Sequence, residues 1–165
     1  MKKIKYKVID NFLPKENFLN IKNIILSRDF PWYYYPNITF SKKSEGRLFY
    51  MQHLFFQKEP NSAFYQVIKE NLLNFIDMKS LMRVKANFYP NQNIKDINEM
   101  HVDYTFKHKG AIFSINTNNG GTLLKDKTKI DSVENRILFF DPSIEHDSEN
   151  CTDEKVRINI NINYF

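Results

Sequence analysis

The sequence contains a single cysteine, Cys151, among its 165 residues. One thiol excludes a disulfide within the chain and is typical of a reducing compartment, so we expect a cytoplasmic protein. Long apolar runs are also absent: stretches such as Ile24-Ile25-Leu26 are too short to cross a bilayer, and no secretory apolar segment follows the lysine-rich start. Without repeats or low-complexity linkers, the length predicts one domain over residues 1–165.

The net charge of +5 is unevenly distributed along the chain. Residues 1–80 carry 13 basic and 7 acidic residues, whereas residues 81–165 carry 11 and 12. The basic residues of the first half, such as Lys2, Lys42 and Lys43, are spread out, which is more typical of a solvated surface than of a phosphate-binding patch. The composition therefore disfavours nucleic acid as a partner.

Two amphipathic helices are predicted among short strands in the first half of the chain. Residues 4–9 alternate apolar and basic side chains as a strand does, and apolar residues recur at helical spacing over 14–27. Prolines interrupt the aromatic stretch 31–36, which predicts a loop or an edge strand. The aromatic stretch 47–56 predicts a strand, and a second helix is predicted over 63–75.

The second half of the chain changes to a period of two, which is typical of strands. The predicted strands are 81–89, 110–116, 122–124, 136–140 and 156–164. Several short strands separated by turns argue for a sandwich or a small barrel. We therefore expect a mostly β fold in which residues 1–80 supply helical support and leading strands, while residues 81–165 form the core.

The last predicted strand has two contrasting faces. Val156, Ile158, Ile160 and Ile162 alternate with Arg157, Asn159, Asn161 and Asn163. In one explanation the polar face meets bulk solvent on an ordinary half-buried strand. In the other, the isoleucines pack against the N-terminal helices and the polar face lines a wet cavity inside a barrel. We favour the second explanation because His146 lies shortly upstream.

A candidate metal site centres on His101-Val102-Asp103. In an extended strand, residues two apart point to the same face, so an imidazole and a carboxylate are expected side by side. With His146 as third ligand, two histidines and one carboxylate form the facial set that leaves open positions on a non-haem Fe(II) ion. Arg157 offers an anion-binding group nearby.

Three other features of this half have a less specific meaning. Glu145, Asp147 and Glu149 crowd His146 with charge, which is consistent with a solvated loop or with a rim that favours a basic substrate. His108 lies in a polar connection and is expected at the surface. His53 lies in an aromatic run, where a packed or surface histidine is more common than a ligand.

Several motifs occur in the order seen in one enzyme superfamily. They are Tyr89-Pro90, His101-Val102-Asp103, Ile112-Phe113-Ser114-Ile115-Asn116, Gly120-Gly121-Thr122, Asn135-Arg136-Ile137-Leu138-Phe139-Phe140, His146 and Arg157. Over roughly residues 81–165 the chain resembles the Fe(II)- and 2-oxoglutarate-dependent oxygenases, and it looks most like their prolyl hydroxylase-like branch, including small versions from marine phages. A histidine and an aspartate two apart are weak evidence alone, but the combined set is specific.

The resemblance implies a double-stranded β-helix, a jelly-roll or cupin-like core with two N-terminal helices packed on one sheet. It also implies that His101, Asp103 and His146 bind Fe(II) and are the catalytic metal ligands. Imidazole and carboxylate suit this ion, and three protein ligands leave three positions for 2-oxoglutarate and O₂.

By the same resemblance, Arg157 pairs with the distal carboxylate of 2-oxoglutarate, for which its planar fork is well suited. The family often has a tyrosine where this chain has Ser114, whose shorter side chain reaches the cosubstrate less easily. Tyr89 is the candidate to compensate, although a phenol packed in the core is the alternative. Asn159 and Thr122 are further candidates for the pocket wall.

The implied reaction is the oxidative decarboxylation of 2-oxoglutarate to succinate and CO₂, coupled to hydroxylation of an unactivated C–H bond in a peptidyl or small-molecule substrate. Two alternatives remain open. One is a non-catalytic metal-binding or structural module on the same fold, and the other is a nucleic-acid demethylase, which the negative charge around His146 disfavours. The phage resemblance would place the protein in the host cytoplasm. Neither the identity of the prime substrate nor the oligomeric state follows from the sequence.

Overall fold

The computed structural model describes residues 4–36, 49–93 and 100–165. In chain order its elements are β1 (Lys7–Ile9), α1 (Lys15–Ile25), β2 (Tyr33–Tyr35), β3 (Tyr50–Gln57), β4 (Glu59–Pro60), α2 (Tyr65–Asn71), a 3₁₀ turn (Leu73–Phe75), β5 (Leu81–Pro90), β6 (Lys109–Ser114), β7 (Gly121–Leu124), β8 (Lys129–Asp131), β9 (Ile137–Phe140), β10 (His146–Glu149) and β11 (Val156–Tyr164). The fold is mostly β with two short helices, which confirms the predicted class.

The strands form two antiparallel sheets. The large sheet has the order β1-β9-β6-β11-β5-β3-β2, with β4 paired to β3, and the small sheet has the order β10-β7-β8. Strand β11 pairs with β5 on one side and β6 on the other, so the strand with two contrasting faces is central. Strands from both halves of the chain therefore share one sheet.

The aliphatic face of β11 is part of the main hydrophobic core. Ile158, Ile160 and Ile162 are fully buried in one cluster that also contains Phe18 of α1 and Ile68 of α2. Burying each isoleucine contributes roughly 1.5–3 kcal/mol relative to an exposed side chain. Hydrophobic burial therefore fixes which way this strand faces.

The polar face of β11 is buried as well. Arg157 is 1% exposed and Asn163 is fully buried, and Asn159 and Asn161 are also classed with the buried polar residues. A row of buried polar side chains requires internal partners or a cavity, because leaving such groups without hydrogen bonds is costly. The explanation in which the polar face meets bulk solvent is therefore wrong, and the enclosed one is confirmed.

The structure revises several predicted boundaries. The strand predicted over 4–9 is limited to Lys7–Ile9, and the helix predicted over 63–75 is a helix of seven residues followed by a 3₁₀ turn. Residues 31–36 contain the edge strand β2. Of the strand predicted over 47–56, the described part is β3, which begins at Tyr50, and Arg47 lies outside the described residues. None of the helices in the described ranges is long and apolar enough to span a membrane.

The segment with His101 and Asp103 differs most from expectation. It does not form a strand: only His101 makes a single antiparallel bridge, and its partner is His146. The charged residues after His146 are not a loop either, since His146–Glu149 is strand β10 of the small sheet. Four residues with polar side chains carry too little hydrophobic pattern for a strand to be predicted from sequence.

Candidate metal centre and anion pocket

His101, Asp103 and His146 form a cluster of potential metal ligands. One side-chain ligand atom from each residue lies within 4.8 Å of those of the other two. The two histidines exchange backbone hydrogen bonds of 2.9 Å in both directions, and the Asp103 amide donates to the Pro142 carbonyl at 3.0 Å. Backbone contacts to the same segment, rather than a shared strand, therefore bring the three side chains together.

His146 is set up to bind a metal through one nitrogen. Its Nδ1 lies 3.1 Å from the Ile144 carbonyl oxygen, which accepts a hydrogen bond and therefore requires a proton on Nδ1. Nε2 then keeps its lone pair. Burial and the neighbouring His101 lower the pKa of His146 to about 4, against an opposing effect of Asp103, so the imidazole is neutral at pH 7.

Asp103 is oriented by three donors. Arg83 donates to Oδ1 at 2.9 Å, while the side-chain amides of Asn161 and Asn163 donate to Oδ2 at 3.2 and 2.8 Å. Burial alone would raise the pKa of Asp103, but Arg83, His146 and the Asn163 hydrogen bond hold it well below the usual range. The carboxylate is therefore ionised, as metal ligation requires.

The other two histidines have structural surroundings. His108 is 4% exposed, so its predicted surface position is wrong: its Nδ1 donates to the Phe106 carbonyl and its Nε2 accepts from Asn163. His53 is packed in the aromatic core and bonded to the Pro31 carbonyl and the Ser62 hydroxyl. His108 thus supports Asp103 indirectly, through Asn163.

One cavity is lined both by members of the metal cluster and by Arg157. Its described lining residues are Asn87, Tyr89, His101, Ile112, Thr122, His146, Asp147, Ser148, Arg157, Asn159 and Asn161. The set contains a cation, Arg157, and two of the three candidate metal ligands, His101 and His146. It suits a small molecule that carries an anionic group and a metal-binding group.

Arg157 is fixed by hydroxyl groups and by an aromatic ring. Its guanidinium donates to Ser132 Oγ at 2.9 Å, to Thr122 Oγ1 at 3.3 Å and to Ser148 Oγ, and it lies 5.3 Å from the centre of the Tyr89 ring. These hydrogen-bond partners are neutral, and the carboxylates of Asp147 and Glu149 act on the guanidinium through charge. A carboxylate that binds Arg157 directly would form a charge-assisted hydrogen bond that the neutral partners cannot supply. Burial lowers the pKa of Arg157, but guanidinium stays protonated in proteins.

The residues around Arg157 include most of the predicted cosubstrate ligands. Tyr89, Thr122 and Asn159 line the cavity. Ser114 is buried and pairs with Asn159 across the β6–β11 ladder, yet it is not among the described residues of the cavity wall. Its predicted role in cosubstrate binding stays a prediction.

Gly120 allows the close approach of Arg157 to β7. A Cβ added at this position would lie 2.8 Å from the Arg157 Cδ and 2.7 Å from the Glu149 carbonyl oxygen, closer than such atoms approach in proteins. The Gly120-Gly121-Thr122 motif thus has a direct steric function at the anion pocket.

The acidic residues around His146 are largely compensated. Glu145 forms an ion pair with Lys125 at 2.9 Å, and Glu149 forms one with Lys129 at 2.6 Å. Asp147 is 1% exposed in the cavity wall. An acidic rim that selects a basic substrate is therefore not supported at these positions.

The polar face of β5 was not predicted from the sequence. Arg83, Lys85, Asn87 and Tyr89 pair with Asn163, Asn161, Asn159 and Arg157 on β11, so the two strands present matching polar rows. Polar residues alternate with apolar ones over 83–89, and this pattern predicts a strand with one polar face as well as one apolar face. Arg83, which contacts Asp103, is the residue that this alternation would have identified.

Comparisons with known proteins bear on the fold. Neither protein-family models nor curated proteins match the chain. Among solved structures, a viral collagen prolyl hydroxylase from Paramecium bursaria Chlorella virus-1, in complex with 2-oxoglutarate, shares 18% identity at a TM-score of 0.59, covering 99% of this chain and 98% of the other. The chain has the fold of a 2-oxoglutarate oxygenase. Its two sheets are the core of a double-stranded β-helix.

Two further structures extend this likeness. A Trichoplax adhaerens prolyl hydroxylase, in complex with a hypoxia-inducible factor peptide fragment, has 14% identity and a TM-score of 0.65, covering 97% of this chain and 83% of the other. HygX from Streptomyces hygroscopicus, with nickel and 2-oxoglutarate bound, has 6% identity and a TM-score of 0.63, with 98% and 82% covered. The predicted oxygenase-like architecture is therefore confirmed.

Proposed function

We propose that this protein is an Fe(II)- and 2-oxoglutarate-dependent dioxygenase that hydroxylates an unactivated C–H bond and releases succinate and CO₂. The observation that carries the proposal is the pairing of two features within one cavity. His101 and His146, two members of the cluster that also contains Asp103, line this cavity together with the buried Arg157. A structural module needs neither a metal ligand set nor a buried cation facing a cavity.

The donor set suits Fe(II), and three protein ligands leave positions for a chelating 2-oxo acid and O₂. When bound, the metal and its cosubstrate supply the oxidising chemistry. His101, Asp103 and His146 hold the ion, and Arg157 orients the distal carboxylate of 2-oxoglutarate with support from Tyr89, Thr122 and Asn159. The chain's contribution is thus ligation, orientation and exclusion of water.

The prime substrate is proposed to be a peptide or an amino acid. The structures that share this fold include a collagen prolyl hydroxylase and a prolyl hydroxylase in complex with a peptide fragment. The loops expected to set substrate choice, 31–43 and 90–100, lie partly outside the described residues. The proposal therefore rests on the architecture and on the chemistry of the cavity.

The proposal is tested with purified protein by measuring metal binding, 2-oxoglutarate binding and succinate formation separately. We expect the wild-type protein with Fe(II) to bind 2-oxoglutarate and release succinate. His146→Ala and Asp103→Ala should abolish iron binding, whereas Arg157→Ala should weaken 2-oxoglutarate far more than iron. Lys69→Gln, an exposed substitution on α2, is the control and should change neither.

The outcomes separate the alternatives. The dioxygenase assignment is refuted if the Fe(II) protein neither binds 2-oxoglutarate nor releases succinate. Metal binding without any succinate release would instead indicate the non-catalytic module. Equal loss of iron and 2-oxoglutarate affinity in Arg157→Ala would refute the role of that residue as a carboxylate clamp.

A further inference from the structure

Lys85 is a charged residue that the proposed dioxygenase mechanism does not use. It lies on β5 opposite Asn161 of β11, in the same polar row as Asn87 and Tyr89, and it is half-buried. Asn161, Asn87 and Tyr89 line the cavity, whereas Lys85 lies next to its described wall. Side chains in opposed positions of neighbouring strands have Cβ atoms about 5 Å apart. Since Asn161 lines the cavity and donates to the metal-ligand candidate Asp103, Lys85 lies beside the metal centre.

The charge of Lys85 is not matched by an anion among the described residues. Its hydrogen bond to Gln52 Oε1 is long, at 3.4 Å, and the acceptor is neutral. Asp103, the nearest carboxylate that influences it, is already paired with Arg83. Burial and the neighbouring Arg83 lower the pKa of Lys85 to about 8, while Asp103 opposes this shift. The Lys85 ammonium is therefore mostly protonated at pH 7, and no anion among the described residues pairs with it.

Asn161 presents an acceptor without a donor at the same place. Its amide nitrogen must face Asp103, because an ionised carboxylate only accepts hydrogen bonds. Its Oδ1 therefore points elsewhere, and this atom is buried with no hydrogen-bond partner among the described residues. 2-Oxoglutarate cannot satisfy it, since that dianion has acceptors only. The acceptor is therefore available to an N–H or O–H donor from another molecule, and an N–H group of a second ligand is one that fits it.

Gln52 links this pair to the edge of the sheet. It accepts hydrogen bonds from Lys85 and from the Tyr50 hydroxyl, and it donates to the Tyr35 hydroxyl at 3.2 Å. Tyr35 is 39% exposed on the edge strand β2, whereas Arg157 at the opposite end of the row is 1% exposed. A second ligand is thus expected from the Lys85 side.

We propose that Lys85 and Asn161 form a prime-substrate subsite that binds a carboxylate next to an N–H group. This deepens the proposed dioxygenase function and rests on it. A free α-amino acid carries this pair as its α-carboxylate and α-amino group. A peptide carries it as the side-chain carboxylate of an acidic residue and the backbone N–H of the same residue. A phosphate is a poorer match, because such groups are typically bound by several converging donors.

The test uses the protein loaded with Zn(II) and 2-oxoglutarate, in which no turnover occurs. Its lysines are labelled by reductive ¹³C-methylation, and the Lys85 resonance is assigned by its loss in Lys85→Gln. Three probes are titrated: L-glutamine, N-acetyl-L-glutamate α-amide and the uncharged N-acetyl-L-glutamine α-amide. We expect a saturable shift of the Lys85 resonance with at least one carboxylate probe and none with the uncharged probe.

The two carboxylate probes distinguish the two sources. A shift with L-glutamine identifies an amino-acid subsite, and a shift with the glutamate amide identifies a peptide subsite. Calorimetry of the active probe should show affinity at least about tenfold weaker in Lys85→Gln, the loss expected for one charge-assisted interaction. Lys69→Gln should bind as the wild type does.

Failure of this inference is separable from failure of the proposed function. If 2-oxoglutarate binds but no probe shifts Lys85, or if all three probes shift it equally, the subsite is refuted and the dioxygenase proposal stands. If the wild-type protein does not bind 2-oxoglutarate at all, the dioxygenase proposal itself fails.

Discussion

Arg83 donates a hydrogen bond of 2.9 Å to Oδ1 of Asp103, and the same guanidinium donates through Nε to Asn163 Oδ1 at 3.1 Å. Asn163 in turn donates to the other oxygen of Asp103. Arg83, Asp103 and Asn163 are thus each hydrogen-bonded to the other two. In addition, the Arg83 guanidinium lies 5.2 Å from the centre of the Tyr104 ring. The orientation of Asp103 is therefore fixed before any ion binds.

Arg83→Gln should destabilise the metal-free protein by about 3 kcal/mol, because it leaves the buried charge of Asp103 without its cation. A bound cation replaces that charge, so Zn(II) should recover most of the loss. The measurement is urea unfolding with and without Zn(II). Lys22→Gln, which breaks an exposed pair with Glu134, is the control and should cost less than about 1 kcal/mol.

Metal-free protein should lose about 2 kcal/mol of stability between pH 7 and pH 5, because of His146. Its pKa is about 4 in the folded state and about 6.5 in the unfolded chain, so the unfolded chain binds the extra proton as the pH falls through this window. Asp103 contributes no slope here, since its pKa is lowered in the folded state and its stabilisation is lost only at more acidic pH.

Unfolding curves at the two pH values test the assignment to His146. His146→Gln should remove most of the slope. The remainder includes His53, whose pKa burial also lowers, with an opposing effect from its hydrogen bond to Pro31. An unchanged slope in His146→Gln would show that other groups are responsible.

Gly120→Ala should weaken 2-oxoglutarate more than it weakens metal binding, since the new methyl group displaces the Arg157 side chain. Gly121→Ala is the matched control. Its methyl group would meet the Ile130 carbonyl oxygen at 2.6 Å and Lys129, so it strains the small sheet without touching Arg157. Calorimetric titration of both ligands gives the comparison. Equal 2-oxoglutarate losses in the two variants would contradict a specific role for Gly120.

Tyr89→Phe should weaken 2-oxoglutarate about tenfold, whereas Ser114→Ala should change its affinity less than about twofold. Tyr89 lines the cavity, and its hydroxyl interacts with Ser148, which also binds Arg157. Ser114 lies beside Asn159 on the neighbouring strand, but it is not among the described residues of the cavity wall. The reverse order of effects would restore Ser114 as a cosubstrate ligand and leave Tyr89 as a core residue.

Some of this architecture was predictable because it depends on residue type and local period. The alternation of β11 predicted its two contrasting faces, and His146 shortly upstream favoured an enclosed polar face. The resemblance carried by the motifs from Tyr89-Pro90 to Arg157 implied the double-stranded β-helix. Because side chains alternate between the two faces of a strand, burying three isoleucines on one face determines which face of β11 points to the core.

Other features depend on contacts that local sequence does not encode. Arg83 reaches Asp103 only because β5 pairs with β11 in a register that aligns Arg83 with Asn163. His108 was predicted at the surface because its neighbours are charged, yet its side chain is buried and accepts a hydrogen bond from Asn163. Similarly, the residues of β10 show no strand pattern of their own, and they form a strand through antiparallel pairing with β7.

A metal bound by His101 and His146 would also hold two segments of the chain together, because a single bridge joins them. Only that one pair of backbone hydrogen bonds joins the two histidines directly, and an ion shared by their side chains would close the chain between residues 101 and 146 into a loop. Closing a loop lowers the entropy of the unfolded chain, as a disulfide does. In a sequence with one cysteine, iron would thus serve as the cross-link, and loss of the metal would loosen the protein at its own active site.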